Sequence, residues 1–319
     1  MKTEALVTAF GRANFGLIAL NAAMEQIDGS FGLALNIPAV TVEVKQANEF
    51  YVLPETYRDI CDGIVERLGI ERDFGIEISV SINAHCGLGL GTQLRLAVAK
   101  ALILFKDLAV KDDELLAVVR RGGTSNLGYY SFLRGGFIVE SGHRFGKEKD
   151  RTGPGHEFVC RNKTPLVYRG DFPDWGICLI TPKKYLNVSG ELESRLFEEF
   201  CPVPEDEINA LCRYILMGVI PAVQTSDFDL FCSSLEKSMQ VGFRSREFRF
   251  RENETEENVD LLRKVGFKGI GMTSFGPTVF GFARSRNEAK MMALSLQSDE
   301  NRTVTITTAR NRGADFKVE

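Results

Sequence analysis

The segment 74–104 constrains the fold more than any other part of this sequence. Its first half alternates β-branched with polar residues, a pattern that predicts a strand with one buried face. From Gln93 onward, apolar residues cover most of a helical surface. Between the strand pattern and the helix pattern lie Gly87, Gly89 and Gly91. The sequence therefore predicts a strand that leads into a buried helix through a sharp glycine-rich turn.

This turn is a candidate phosphate site. Glycines let a ligand approach the backbone, and the first N–H groups of a helix favour anions together with the helix dipole. On glycine spacing alone a structural turn is the commoner explanation, and the turn matches neither the dinucleotide nor the P-loop fingerprint. The polar residues on both sides of the turn favour a site. We expect phosphate ligands at Gly87, Leu88, Gly89, Gly91, Thr92 and Gln93, and a catalytic role for His85.

Composition limits the classes of protein that fit. The length of 319 residues suits two domains, at roughly 150 residues per domain. A net charge of −4 argues against a general nucleic-acid binder. With no signal peptide and no apolar run near the roughly 20 residues of a membrane span, we expect a cytoplasmic protein without a membrane partner. Seven cysteines without a CxxC pair predict reduced thiols, of which Cys86 in the glycine turn is the candidate for reactivity.

Two polar residues in the first predicted strand form a second candidate group. Arg12 and Asn14 are two positions apart, so their side chains project from one face of the strand. They are candidates to bind a carboxylate, although a solvated strand edge fits the pattern equally well.

A second anion site is predicted where a helix that opens near Asp112 ends. Arginine forks and exposed N–H groups of a Gly-Gly-Thr-Ser turn can share phosphate oxygens, but the helix dipole alone also favours arginine there. The expected ligands are Arg121, Gly123, Thr124 and Ser125. The charged stretch 143–164 that follows is expected to be an exposed loop. None of the three histidines has metal-ligand spacing, so we assign no metal ligands.

The order of elements resets near Tyr168, which divides the chain into predicted domains 1–167 and 168–319. The second half alternates strands with amphipathic helices, a pattern typical of an α+β sandwich. Its glycine-rich turn at 268–277 contains Ser274, a further candidate phosphate ligand. Asp171 lies at the domain boundary and is a candidate catalytic acid, although Asp before Phe-Pro is more commonly a turn former.

The sequence HCGLGLGTQLRLAVAKAL at 85–102 resembles the phosphate-binding motif of the GHMP kinase superfamily. It is more similar to β-ribofuranosylaminobenzene 5'-phosphate synthases (the β-RFAP synthase family), whose members carry HxGLGxGTQ. Further similar segments follow the family's order across nearly the whole chain, at 27–35, 120–125, 134–142, 169–175, 188–197 and 274–282. The resemblance implies a two-domain α+β GHMP-kinase-like fold, with an N-terminal βαβ phosphate-binding domain and a C-terminal ferredoxin-like α/β sandwich. It also implies that the turn at 268–277 folds back over the phosphate loop.

The resemblance implies a decarboxylating phosphoribosyltransferase of methanopterin biosynthesis. Such an enzyme joins 5-phosphoribosyl 1-diphosphate to 4-hydroxybenzoate or 4-aminobenzoate and releases carbon dioxide and pyrophosphate. Mg²⁺ or another divalent cation and a homodimer are expected. The family pattern RxHxxLxD is matched by Arg12, whereas Asn14 and Ala19 depart from it, which leaves a changed or lost reaction open.

Two alternatives remain from the sequence. An ATP-dependent small-molecule kinase of the same superfamily would share the fold, but the segment TSNLGYYSF offers no carboxylate where such kinases place their base. A non-catalytic binding paralogue would keep the pocket without the reaction.

Overall fold

A computed structural model describes residues 2–158, 162–296 and 299–319; Cys160 lies outside the described residues. The strands are β1 (Glu4–Ala19), β2 (Gln26–Gln46), β3 (Tyr51–Leu53), β4 (Phe74–Val80), β5 (Phe137–Glu140), β6 (His143–Arg144), β7 (Leu166–Gly170), β8 (Gly176–Pro182), β9 (Lys268–Met272), β10 (Val279–Ala283), β11 (Arg302–Thr307) and β12 (Asp315–Val318). The helices are α1 (Arg58–Leu68), α2 (Leu90–Phe105), α3 (Leu115–Val119), α4 (Leu127–Arg134), α5 (Glu191–Phe200), α6 (Glu205–Tyr214), α7 (Ile220–Thr225), α8 (Phe228–Met239), α9 (Gly242–Phe250), α10 (Glu252–Val265) and α11 (Arg286–Ala293).

The first sheet has the order β12-β1-β2-β4-β3, and β5 extends it from β2. The long strands β1 and β2 pair antiparallel, whereas β3 and β4 pair in parallel around α1. That unit is the predicted βαβ arrangement, and α1 ends at Gly69, whose φ of 64° suits glycine.

Helix α2 is buried on nearly all sides against β1 and β2, as its apolar composition predicts. It begins at Leu90, three residues before the predicted start, directly after Gly89. The glycine turn is therefore fixed at one end by β4 and at the other by a core helix.

The second sheet is antiparallel with the order β11-β8-β10-β9. Helices separate β8 from β9, and α11 separates β10 from β11, which gives the βαββαβ order of a ferredoxin-like sandwich. The predicted α+β class is confirmed. The predicted boundary at 167/168 falls inside β7, and β12 returns to pair with β1, so the division into domains stays a prediction.

An aromatic core joins the two sheets. It includes Phe15 of β1 and Phe280 of β10, whose ring centroids lie 5.1 Å apart. Trp175 packs beside Phe231 in the same core. Because this core continues across both sheets, it holds Asn14 in β1 close to Thr273, which directly follows β9.

Several helices differ from the sequence expectation. The patterns did not indicate α4, α5 or α9. In the described residues, one helical run, Glu205–Thr225, is long and apolar enough to cross a membrane by length and composition alone, with mean hydropathy 1.2. Its residues Leu211, Ile215 and Val219 pack into the aromatic core, which accounts for this apolar composition.

Candidate active site

Two neighbouring cavities lie where the glycine turn meets the second sheet. Their volumes are about 510 Å³ and about 190 Å³. Arg12, Thr92, Arg121 and Ser274 line both, so the two spaces form one candidate site.

The glycine turn has the strained backbone that its composition predicts. His85, Gly87 and Gly89 all have positive φ, at 55°, 87° and 82°. A Cβ on Gly87 would lie 2.2 Å from the Thr273 carbonyl oxygen, so only glycine fits this position. The N–H groups of Thr92 and Gln93, expected to be free for phosphate, donate to the Gly89 carbonyl oxygen over 3.2 Å each.

Hydrogen bonds tie the turn to both halves of the chain. The Arg12 N–H donates to Leu88 O over 3.0 Å, and Arg12 Nη1 donates to Gly87 O over 2.6 Å. From the other side, the Thr273 hydroxyl donates to Gly87 O over 2.9 Å and accepts from the Asn14 N–H at 2.9 Å. The glycine-rich segment 268–277 thus folds back on the phosphate loop, as the resemblance implies.

Asn14 is held by a buried arginine. Arg244 Nη2 donates to the Asn14 carbonyl oxygen over 2.9 Å and to its side-chain oxygen over 3.1 Å. Asn14 nevertheless lines the smaller cavity beside Arg12. Burial, followed by the nearby charge of Arg244, lowers the pKa of Arg12 to about 10, so Arg12 keeps its positive charge at neutral pH.

Two carboxylates in the site were missed by the sequence analysis. Glu247 is only 2% exposed, and its Oε2 lies 2.6 Å from Arg244 Nη1. Burial raises the pKa of Glu247 to about 7, against the opposing effect of Arg244. Burial also raises the pKa of Glu193, although His156 lies 3.4 Å away. Both come from helices that the patterns did not indicate; the similar segment at 188–197 includes Glu193 and is the signal that could have found it.

The hydroxyls of the Gly-Gly-Thr-Ser turn are engaged within the protein. Thr124 Oγ1 donates to Gly153 O over 2.6 Å, and Ser125 Oγ lies 2.6 Å from Ser30 Oγ. The buried Lys149 donates to Gly123 O over 2.9 Å and lies 3.0 Å from an Asp28 carboxylate oxygen. Thus part of the stretch expected to be an exposed loop fixes this turn from inside.

Most predicted site residues converge on the two cavities. Those that line them are Arg12, Asn14, His85, Gly87, Leu88, Gly89, Gly91, Thr92, Arg121, Gly123, Thr124, Ser125 and Ser274. Their roles stay predictions.

Two predicted residues do not reach the cavities. The Gln93 side chain is fully buried and donates to Gly128 O of α4 over 2.9 Å. Asp171 is exposed and pairs with Arg169 at 2.5 Å. Asp171 lines neither cavity, and its catalytic role stays a prediction.

The buried Cys86 lies in the glycine turn. Burial raises the pKa of the Cys86 thiol, which argues against the predicted reactivity. Within the ranges 2–158, 162–296 and 299–319, no group of three His, Cys, Asp or Glu side chains has the arrangement of a metal site.

Comparisons with known proteins give close sequence relatives. The chain is 31% identical over 328 residues to "Beta-ribofuranosylphenol 5'-phosphate synthase" of Methanothermobacter thermautotrophicus, covering 98% of this chain and 99% of the relative. It is 33% identical to the protein of the same name from Archaeoglobus fulgidus, covering 96% and 97%. No protein-family model matches the chain.

Solved structures show the fold. A putative homoserine kinase of Listeria monocytogenes superposes with a TM-score of 0.67 at 17% identity, covering 99% of this chain and 100% of the other. Mevalonate diphosphate decarboxylase of Staphylococcus aureus superposes with a TM-score of 0.64 at 14% identity, covering 99% and 98%. The predicted GHMP-kinase-like fold is confirmed.

Proposed function

The chain belongs to the β-ribofuranosylphenol 5'-phosphate synthase family, and from this membership we propose that it is a decarboxylating phosphoribosyltransferase. The substrates would be 5-phosphoribosyl 1-diphosphate and 4-hydroxybenzoate, since the relatives are named for a phenol product; 4-aminobenzoate is the second candidate. The observation that carries the proposal is identity above 30% along nearly the whole chain.

The proposed reaction forms one carbon–carbon bond and breaks two other bonds. A carbon–carbon bond forms between the ribose C1 and the ring carbon that bears the carboxylate, while the bond from C1 to the diphosphate oxygen breaks. The carboxylate leaves as carbon dioxide, and its bonding electrons restore the aromatic ring. The protein must therefore stabilise a departing diphosphate and orient an aromatic carboxylate.

The two cavities offer groups for both tasks. The larger one combines the glycine turn and the start of α2 with several arginines, which suits the diphosphate. In the smaller one, Leu17, Phe197 and Phe275 supply apolar contacts for a ring. We propose that Arg12 and Asn14 bind the carboxylate and that His85 contacts the substrate or leaving group.

Mg²⁺ or another divalent cation is part of this proposal. Such a cation would neutralise charge on the leaving diphosphate. Magnesium commonly uses one or two carboxylates together with substrate phosphate oxygens. Among the described residues, Glu193 and Glu247 are the carboxylates that line the cavities, and Glu247 is already paired with Arg244. The contact of Glu193 with the exposed His156 is longer, at 3.4 Å against 2.6 Å for Glu247 and Arg244, so Glu193 fits better as the protein ligand.

The kinase alternative loses support at the start of α4. The residue in question, Asn126, is fully buried and donates through Nδ2 to Thr164 Oγ1 over 3.0 Å. An amide in this place cannot draw a proton from a substrate hydroxyl as a carboxylate would. The kinase structures therefore bear on the fold and not on the reaction.

The test is to incubate the purified protein with Mg²⁺, 5-phosphoribosyl 1-diphosphate and each benzoate, and to measure carbon dioxide and pyrophosphate. We expect the two products in equal amounts. A parallel panel contains ATP and small alcohols. ADP formation there, with no carbon dioxide in the first assay, would replace the synthase with the kinase; binding without any product would favour the non-catalytic paralogue.

The wider setting is also proposed. The phenol product would enter methanopterin biosynthesis in the cytoplasm, and the enzyme would be a homodimer as the resemblance implies. Size-exclusion chromatography with light scattering measures the last point directly.

A further inference from the structure

Arginine side chains in the larger cavity have donors without partners. In the described residues, Arg95 Nε, Arg121 Nε and Arg251 Nη2 are buried and make no hydrogen bond within the protein. All three arginines line this one cavity. Because buried donors are nearly always paired in folded proteins, three unpaired guanidinium nitrogens in one cavity indicate a missing acceptor. Arg251 is otherwise held by Glu254 and Phe275 O, so Arg95 and Arg121 are the two arginines free to bind it.

Arg95 lies in the second turn of α2, and Arg121 follows the end of α3. Arg95 lies four residues after Gly91, hence on the same face of the helix, and helical side chains lean toward the N-terminus. Arg121 Nη2 lies 3.6 Å from the position a Cβ on Gly91 would occupy. The two guanidinium groups thus stand beside the glycine turn.

Arg95 and Arg121 carry like charges close to each other. Neither forms an ion pair of 4.0 Å or less with a carboxylate in the described part of the chain. Burial lowers the pKa of Arg95, and the charge of Arg121 lowers it further. Burial also lowers the pKa of Arg121, with Glu193 opposing. Two like charges, half-buried and without an ion pair among the described residues, destabilise the ligand-free protein and would be stabilised by an anion.

We propose that Arg95 and Arg121 form a clamp for the diphosphate of the phosphoribosyl substrate, and that Arg95 is a binding residue for it. The identity of the ligand rests on the proposed function. Its chemical class follows from the site, since two arginine forks together with a helix N-terminus present donors for oxygens on more than one phosphorus atom.

Calorimetric titration with inorganic pyrophosphate tests the clamp without requiring turnover. We expect Arg95→Met to weaken pyrophosphate binding about tenfold or more, because it removes charge-assisted hydrogen bonds. Arg95→Lys keeps the charge but loses the planar guanidinium fork, so its affinity for pyrophosphate should lie between those of the wild type and Arg95→Met. Arg67→Met is the matched control, since Arg67 donates to Val118 O and lines neither cavity.

Stability separates a binding role from a structural one. Since Arg95 and Arg121 repel each other, ligand-free Arg95→Met should unfold at the same temperature as the wild type or higher. A clearly lower unfolding temperature would make Arg95 a structural residue and overturn the clamp. In turnover assays, the KM for 5-phosphoribosyl 1-diphosphate should rise in Arg95→Met while the KM for the benzoate stays unchanged.

The outcomes separate this proposal from the proposed function. Unchanged pyrophosphate affinity in Arg95→Met, with tight binding by the wild type, overturns the clamp alone. Weakened binding in a protein that makes no carbon dioxide supports the clamp and removes the synthase reaction. A wild type that binds neither pyrophosphate nor the phosphoribosyl substrate refutes both.

Discussion

Replacing Gly87 by alanine should damage the glycine turn more than its backbone conformation alone would predict. Gly87 has a φ of 87°, a conformation that costs a residue with a Cβ about 1–2 kcal/mol. The added Cβ would also lie 2.2 Å from Thr273 O, whereas real Cβ contacts begin near 3.0 Å. The two backbones must therefore separate, and such overpacking generally lowers the stability by about 1–3 kcal/mol more.

Gly146 provides the matched control. Its φ is 75°, and a Cβ there would meet nothing within 4 Å. Gly146→Ala should therefore lose only the conformational part, about 1–2 kcal/mol, against about 2–5 kcal/mol for Gly87→Ala. The comparison isolates the overlap between the turn and Thr273.

Urea denaturation measures the difference. The single tryptophan, Trp175, is buried in the aromatic core and reports unfolding by fluorescence. Pyrophosphate affinity is measured on the same variants, and we expect it to fall only in Gly87→Ala. If the two variants were equally stable and bound pyrophosphate equally well, the contact with Thr273 would not shape the turn, and this reasoning would be refuted.

Three further substitutions test individual side chains. His85→Ala should reduce turnover about 10²–10⁴-fold if His85 acts as a general acid or base, with an unchanged unfolding temperature because His85 is exposed; wild-type turnover would remove it from the site. The pKa of Glu247 is about 7 in the folded protein against 4.5 for the ordinary group, so the folded state holds this proton more tightly than the unfolded state. The wild type should therefore lose stability relative to Glu247→Gln as the pH rises from 4.5 to 7. A constant difference in unfolding temperature from pH 4.5 to 8 would contradict the raised pKa. Asp171→Asn should leave kcat/KM within about twofold, since it changes an exposed ion pair outside both cavities, and a tenfold loss would restore Asp171 as a catalytic candidate.

Sequence patterns predicted the parts of the site that depend on local structure. The strand, glycine turn and helix at 74–104 follow from two periodicities and three glycines, so the phosphate loop could be located in advance. The ferredoxin-like order of the second half required the family resemblance, because short strands and helices alone allow several topologies.

The rest of the site depends on long-range packing that periodicity does not encode. Glu193 and Glu247 reach the cavities from helices whose surroundings decide which side is buried. Arg95 is a polar interruption of an otherwise apolar helical surface, and periodicity does not show that it faces the turn. Conversely, Ser125 has the residue type expected of a phosphate ligand, but a buried contact with Ser30 engages its hydroxyl.

The Thr273 hydroxyl, which joins Asn14 to Gly87, also bears on the order of folding. These contacts span 259 and 186 residues of sequence, so the phosphate loop cannot be completed by its own segment. Contacts of such separation form late, because the intervening chain must first be brought together. Nascent chains that end before Thr273 should therefore lack the mature loop, and pyrophosphate binding should appear only after the second sheet has docked. A ligand bound there would stabilise both sheets at once, since it selects the state in which they meet.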